Sequence, residues 1–249
     1  MKERVQIRFL GCGDAFGSGG RFNTCFLVDG GGRKFLIDCG ATSMVAMRHW
    51  EVDPNSIGLI LISHLHGDHF GGLPFFLLDA QLISRRKTPL TIAGPPGLEA
   101  RLEQAMEVFF PGSSRARPKY GLTIIELEAE RAHDVEGVKV TPYEVGHPSG
   151  APSYALRVGV GGKTICYSGD TQWTESLGRA TRGADLFVCE CNFYDKAARY
   201  HMNYMTLMGK LGEIGPKKLV LTHMGTDMIA RAGDLDHQAA EDGLTLVVE

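Results

Sequence analysis

The run "GLILISHLHGDHFGG" (58–72) constrains the fold more than any other part of the chain. Its first residues form a continuous apolar stretch, the pattern of a strand buried on both faces. The strand leads directly into His64, His66, Asp68 and His69, four potential metal ligands within six residues. Such a strand needs layers packed on either side of its sheet, and a ligand cluster at its end puts a site at the sheet's edge. Neighbours in an extended segment point to opposite sides, so His64 and His66 face one way. A turn at Gly67 then presents Asp68 and His69 to a different point. The segment therefore suits two metal ions better than one. The plainer alternative is a His-rich surface loop.

Other strands end in the same manner. "GVKVTPYEVGH" ends at His147, "KTICYSGD" at Asp170 and "KLVLTH" at His223. Singly these are weak signals, since a lone His after a strand is more often structural and Asp before Thr is a common cap. Together with the cluster they make five His and two Asp. Two zinc-type ions need about three protein ligands each when a position stays open for water. Six terminal ligands and one bridging carboxylate meet that requirement.

The remaining elements interleave. "VQIRFLG" alternates Val5, Ile7 and Phe9 on one face, and "TCFLVDGGGRKFLIDCG" reads as a hairpin closed by glycines. "TSMVAMRHW" predicts a helix. "LEARLEQAMEVFF" predicts another, with Leu98, Leu102, Ala105 and Phe109 as its buried stripe. "NYMTLMGKLGEIG" carries Leu207, Leu211 and Ile214 and stops at Gly215-Pro216. The expectation is one α/β domain over 1–249 with its site at strand termini. A formal net charge of −3 supplies no global basic field for nucleic acid. No apolar run reaches the roughly 18–20 residues of a membrane span, and the N-terminus does not read as a signal peptide. Six cysteines are then expected as reduced thiols in a cytoplasmic protein.

"SHLHGDH", a His after a strand, "SGDT" and a late "LTH", in that order, resemble the metallo-β-lactamase superfamily over nearly the whole chain. The resemblance implies an αββα sandwich of two facing mixed β-sheets flanked by helices, with a dinuclear site at one edge. It assigns His64, His66 and His147 to one divalent metal, Asp68, His69 and His223 to the other, and Asp170 to the bridge. Zn²⁺ is the expected ion, with Mn²⁺ or Fe as alternatives. Asp38 in "LIDCG" matches the family's early Asp that supports the site.

The opening "FLGCGDAFGSGGRFNTCFLV" and the stretch containing "LTIAGPPG" are similar to the ribonuclease Z branch. Glu190 and His201 in "VCECNFYDKAARYHMNY" match that branch's Glu and its later "HST"-like His, although Met-Asn replaces Ser-Thr. By this match His201 is a proton donor or transition-state stabiliser near the leaving group, oriented by Glu190, and Asp68 assists the nucleophile. Ribonuclease Z proteins carry a tRNA-gripping arm between the positions of His147 and Asp170. Here "PSYALRVGVGGKTICYS" fills that interval with two strands and a tight turn, which argues against tRNA and for a small-molecule substrate.

The expected activity is hydrolysis of a small phosphodiester, such as a cyclic nucleotide, by a metal-bridging hydroxide. Alternatives are a carboxyl-ester, lactone, lactam or sulfate-ester hydrolase, or a non-catalytic metal-binding regulatory module. A homodimer is expected from the resemblance. Ser149, Ser153 and Tyr154 are candidate pocket residues. "SRRK" at 84–87 reads as a solvated charge cluster, and Cys189 and Cys191 as buried apolar side chains.

Overall fold

The computed structural model describes residues 4–249. It comprises two mixed seven-stranded sheets packed face to face, with helices on both outer faces. The N-terminal half builds one sheet from β1 (Gln6–Gly11), β2 (Cys25–Gly30), β3 (Arg33–Ile37), β4 (Leu59–Leu61), β5 (Leu90–Gly94) and β6 (Leu122–Glu126). The other contains β7 (His133–Val135), β8 (Val138–Glu144), β9 (Tyr154–Val160), β10 (Lys163–Tyr167), β11 (Leu186–Glu190), β12 (Leu219–Thr222) and β13 (Gln238–Ala239). The chain then returns to the first sheet, where β14 (Thr245–Val247) pairs with β1.

Helices α1 (Ser43–His49), α2 (Gly67–Phe70), α3 (Leu73–Leu82) and α4 (Leu98–Phe109) accompany the first half, and α5 (Glu175–Thr181), α6 (Tyr204–Ile214) and α7 (Thr226–Arg231) the second. The core between the sheets joins Ile7, Phe9, Val28, Phe35 and Leu61 to Val140, Leu156, Val158, Tyr167 and Val188. A second apolar cluster seats α1, α3 and α4 on the outer face of the first sheet, and a third seats α5, α6 and α7 on the other. The αββα sandwich expected from the resemblance is the fold observed.

Strand direction gathers the site. β3 and β4 run parallel, as do β10, β11 and β12. β8 and β10 each pair antiparallel with β9, so they too share a direction. The ends of β3, β4, β8, β10, β11 and β12 therefore bring Asp38, His64, His147, Asp170, Glu190 and His223 to one edge of the sandwich.

Two sequence expectations need correction. The buried stripe of α4 is Leu98, Leu102 and Met106, while Phe109 is half exposed. At about 100° per residue Phe109 falls on the same side of the helix as Leu98 and Leu102, so its place as the last residue of α4, not its phase, leaves it exposed. Within "SRRK", Arg86 is 2% exposed rather than solvated. Its Nε donates to the Thr88 carbonyl at 2.9 Å, Nη1 to Pro54 at 3.1 Å and Nη2 to Pro89 at 2.8 Å, with a further contact to the Ile57 carbonyl. A guanidinium presents five donors in a rigid fork, so it can satisfy several loop carbonyls at once. Arg86→Met, which keeps the bulk but strands those acceptors, is expected to cost about 2–5 kcal/mol of stability. Urea unfolding reads this as a lowered midpoint at unchanged slope, and an unshifted midpoint would contradict it.

Candidate metal centre

α2 explains how one segment supplies two points in space. Phe70 N donates to His66 O and Gly71 N to Gly67 O, both at 2.9 Å, so the chain turns helical directly after His66. His64 and His66 precede the turn, whereas Asp68 and His69 lie within it. Close backbone approach makes this possible, because a Cβ at Gly40 would sit 2.1 Å from the Asp68 carbonyl oxygen. Gly169, with φ +58°, is equally confined beside the Tyr154 carbonyl and sets the turn that delivers Asp170.

The potential ligand atoms form four overlapping groups, each with its atoms within 4.8 Å of one another, and two of these include His201, with His147 and Asp170 and with Glu190 and His223. The other two make up the centre. One group is His64, His66 and His147, and the other is Asp68, His69, Asp170 and His223. Asp170 also faces the first group, since its Oδ2 is 3.9 Å from both His64 Nε2 and His147 Nε2. Its Oδ1 is 3.3 Å from His69 Nε2, and its Oδ2 is 3.4 Å from His223 Nε2. Asp68 Oδ2 is 3.2 Å from both His69 Nε2 and His223 Nε2.

Surrounding residues fix the imidazoles. Asp38, fully buried, accepts from Ser63 N at 2.7 Å, Ser63 Oγ at 2.8 Å and His69 Nδ1 at 2.7 Å. With its proton committed to Asp38, the Ser63 hydroxyl accepts from His64 Nδ1 at 3.1 Å. His147 Nδ1 donates to the Tyr200 carbonyl at 3.0 Å. Each of these rings is thus held through Nδ1 with Nε2 turned inward. Against burial, the carboxylates beside His69 push it well above the usual imidazole range, so a cation there would displace its Nε2 proton. The sequence pattern assigns no role to Ser63 or to Tyr167, whose Oη is 3.4 Å from His69 Nδ1. For Ser63 the signal was its place just before His64. Tyr167 gave none, because its contact crosses between the sheets.

The donor set fits divalent cations. His64 Nε2, His69 Nε2 and Asp170 Oδ1 are buried side-chain atoms without a hydrogen-bond partner. Buried polar atoms are normally paired, so three orphans facing one point call for an external partner. Burial, reinforced by His69, holds His64 well below the usual imidazole range, in the neutral form that coordinates metals. Burial would raise Asp170, but the charges of His223 and His69 outweigh it and keep the carboxylate ionised.

Beside this centre, Glu190 is fully buried and its Oε2 is 3.1 Å from His201 Nδ1. Its Oε1 also accepts from the Thr171 amide. Burial and then the Asp170 charge push Glu190 up to about 7, opposed by the hydrogen bond from His201. Burial would lower His201, yet the hydrogen bond and charge of Glu190 raise it. His201 stacks near His223, with ring centroids 5.9 Å apart, and lies 5.0 Å from His147. It lines a cavity of about 350 Å³ together with Phe16, His66, Asp68, Phe193 and His223, among others.

Ser149, Ser153 and Tyr154 do not line this cavity. The two serine hydroxyls bond each other at 3.0 Å, and Tyr154 Oη donates to the Leu127 carbonyl at 3.0 Å. They follow His147 in sequence, but the chain turns them into the protein. The interval between His147 and Asp170 is occupied by the β9–β10 hairpin, closed by Gly161 and Gly162.

Known proteins share this fold and sequence pattern. A ribonuclease Z of Methanosarcina acetivorans is 27% identical, with 89% of this chain and 88% of that protein covered. The human short-form tRNase Z structure superposes with a TM-score of 0.79 at 24% identity, over 98% of this chain and 99% of that one. A diphosphatase of the PhnP family gives 0.77 at 19% identity, over 99% of this chain and 98% of that one. The family model described as Anti-Pycsar protein Apyc1 matches residues 5–241. The chain therefore belongs to the Anti-Pycsar protein Apyc1 family, a ribonuclease Z-like group among the hydrolases of the metallo-β-lactamase fold.

Proposed function

We propose that the chain is a dinuclear metal phosphodiesterase acting on a small phosphodiester, with a cyclic nucleotide as the leading substrate. The observation that carries this reading is the juxtaposition of two ligand groups sharing Asp170 with a Glu190-paired His201 in one cavity. His64, His66 and His147 would hold one cation, Asp68, His69 and His223 the other, and Asp170 both. Zinc is the ion favoured by this His-rich set. Two cations there would supply a water nucleophile of lowered pKa and positive charge for the phosphoryl oxygens.

The chain's own residues supply the rest. Asp68 would orient the nucleophile or take its proton, and His201, held by Glu190 at Nδ1, would keep Nε2 for the departing oxygen. His201 also approaches two of the ligand groups, but its engagement by Glu190 supports a role in proton transfer instead. The relatives described as ribonuclease Z and as a diphosphatase are consistent with chemistry at phosphorus. The short β9–β10 hairpin supports a substrate smaller than tRNA.

A homodimer belongs to this proposal. Val45, Phe75, Leu82, Ile83 and Phe109 expose an apolar face on α1, α3 and α4 against which a second copy would pack. Six free, buried cysteines suit a reducing cytoplasm. No helix among the described residues is long and apolar enough to cross a membrane.

The test is elemental analysis of the purified protein combined with hydrolysis of bis(p-nitrophenyl) phosphate and a panel of cyclic nucleotides. Two equivalents of metal with turnover of these phosphodiesters are expected. Full metal occupancy with turnover only of carboxyl esters or lactams, or with none, would overturn the reading.

A further inference from the structure

Phe16 is an unusual residue for the mouth of a polar site. It is 94% exposed, yet it lines the same cavity as His66, Asp68, His201 and His223. Leaving a phenyl ring in water forgoes about 1.5–3 kcal/mol of burial. A floppy loop could tolerate that by wandering, but this one is tied down. Asp14, itself buried, accepts from Phe16 N at 3.2 Å and Ser18 N at 2.9 Å through Oδ1, and from Ser18 Oγ at 2.6 Å through Oδ2. Asn23 Nδ2 donates to the Asp14 carbonyl at 3.0 Å. At the base of the loop, Asp242 accepts from Cys12 N at 3.0 Å and Phe22 N at 2.8 Å. The backbone is thus fixed, and the tip carries one aromatic ring into solvent at the rim.

Phe193 supplies another ring to the same cavity, from the segment between β11 and α6. Its backbone is paired through Tyr204 N, which donates to Phe193 O at 2.9 Å. Lys196 Nζ lies 4.8 Å from its ring centroid. The cavity therefore has polar, ligand-rich walls and aromatic rings contributed by two separate loops.

We propose that Phe16 is a specificity-determining residue that stacks on the nucleobase of a bound nucleotide, with Phe193 contributing a further apolar wall. This rests on the phosphodiesterase reading and gives the nucleotide substrate named there a residue that contacts its base. Stacking uses the π-face that every base possesses, so it discriminates nucleotide from sugar phosphate more than one base from another.

The test compares binding of adenosine and uridine 5′-monophosphates with that of ribose 5-phosphate, by calorimetry on the metal-loaded protein. Phe16→Ala is expected to weaken both nucleotides by about 5- to 150-fold while ribose 5-phosphate keeps its affinity. Phe16→Tyr should restore nucleotide affinity. Equal losses for all three ligands would make Phe16 a structural residue, and no loss for any would remove it from the site; either overturns the proposal. Sedimentation of Phe16→Ala supplies the remaining alternative. A change in oligomeric state with nucleotide affinity intact would assign the ring to a contact between copies and overturn the proposal as well. These ligands are monoesters read by binding, so failure of the phosphodiesterase reading registers separately, in the hydrolysis assays.

Discussion

Asp170→Ala is expected to lower bound metal below two equivalents and to reduce phosphodiester turnover by about 10³-fold or more. Asp170 is 2% exposed and, among the described residues, is the one carboxylate that faces both ligand groups. Removing it takes a negative charge from the place where two dications would otherwise repel each other most strongly. Metal-assisted charge stabilisation is worth several kcal/mol, and each 1.36 kcal/mol is tenfold in rate. Asp170→Asn is the companion variant, since it keeps the volume while removing the charge. If the charge is what matters, both variants lose metal in parallel, as measured by elemental analysis after equilibrium dialysis. Two equivalents retained with wild-type turnover would remove Asp170 from the ligand set.

The second large effect is expected at His201. His201→Ala should lower turnover by about 10²- to 10⁴-fold on substrates with an alkoxide leaving group. With p-nitrophenolate, which departs without a proton, the loss should be much smaller. That contrast separates proton donation from a structural role, because a collapsed pocket would slow both substrates alike. Glu190→Gln should follow His201→Ala in sign. Glu190 is fully buried, and its side chain holds both His201 Nδ1 and the Thr171 amide, so it orients the imidazole without reaching substrate itself. Metal content should stay at wild-type level in the His201 variant, distinguishing it from the Asp170 variants. No loss with either leaving group would take His201 out of the mechanism.

Much of the site could be read from the chain because strands report themselves. A buried strand such as Leu59–Leu61 must be apolar on both faces, so the first polar residues after it mark the strand's end and stand out. The same contrast exposed His147 after β8, Asp170 after β10 and His223 after β12. Local pattern was poorer evidence where the deciding contact is remote. Arg86 looks like one charge among several in "SRRK", and only the loop carbonyls of Pro54, Ile57, Thr88 and Pro89 turn it into an internal clamp. The stripe of α4 was misplaced at Phe109 because helical periodicity gives the spacing of a face but not where the sheet beneath it ends.

The sequence by itself determined the kind of protein this is. Hydrophobic runs broken at His and Asp are a local, one-dimensional signal, and their order along the chain matched one fold. What only the tertiary structure decided is which groups act on which. The Asp38–Ser63–His64–His69 network, the reach of Asp170 to both ligand groups and the seat of His201 on Glu190 depend on parallel strand ends meeting at one edge. Phe16 is the extreme case. In the sequence it is one apolar residue in a glycine-rich turn, and its meaning arises from the fold, which holds that turn rigid and sets the ring beside a cavity formed by distant loops.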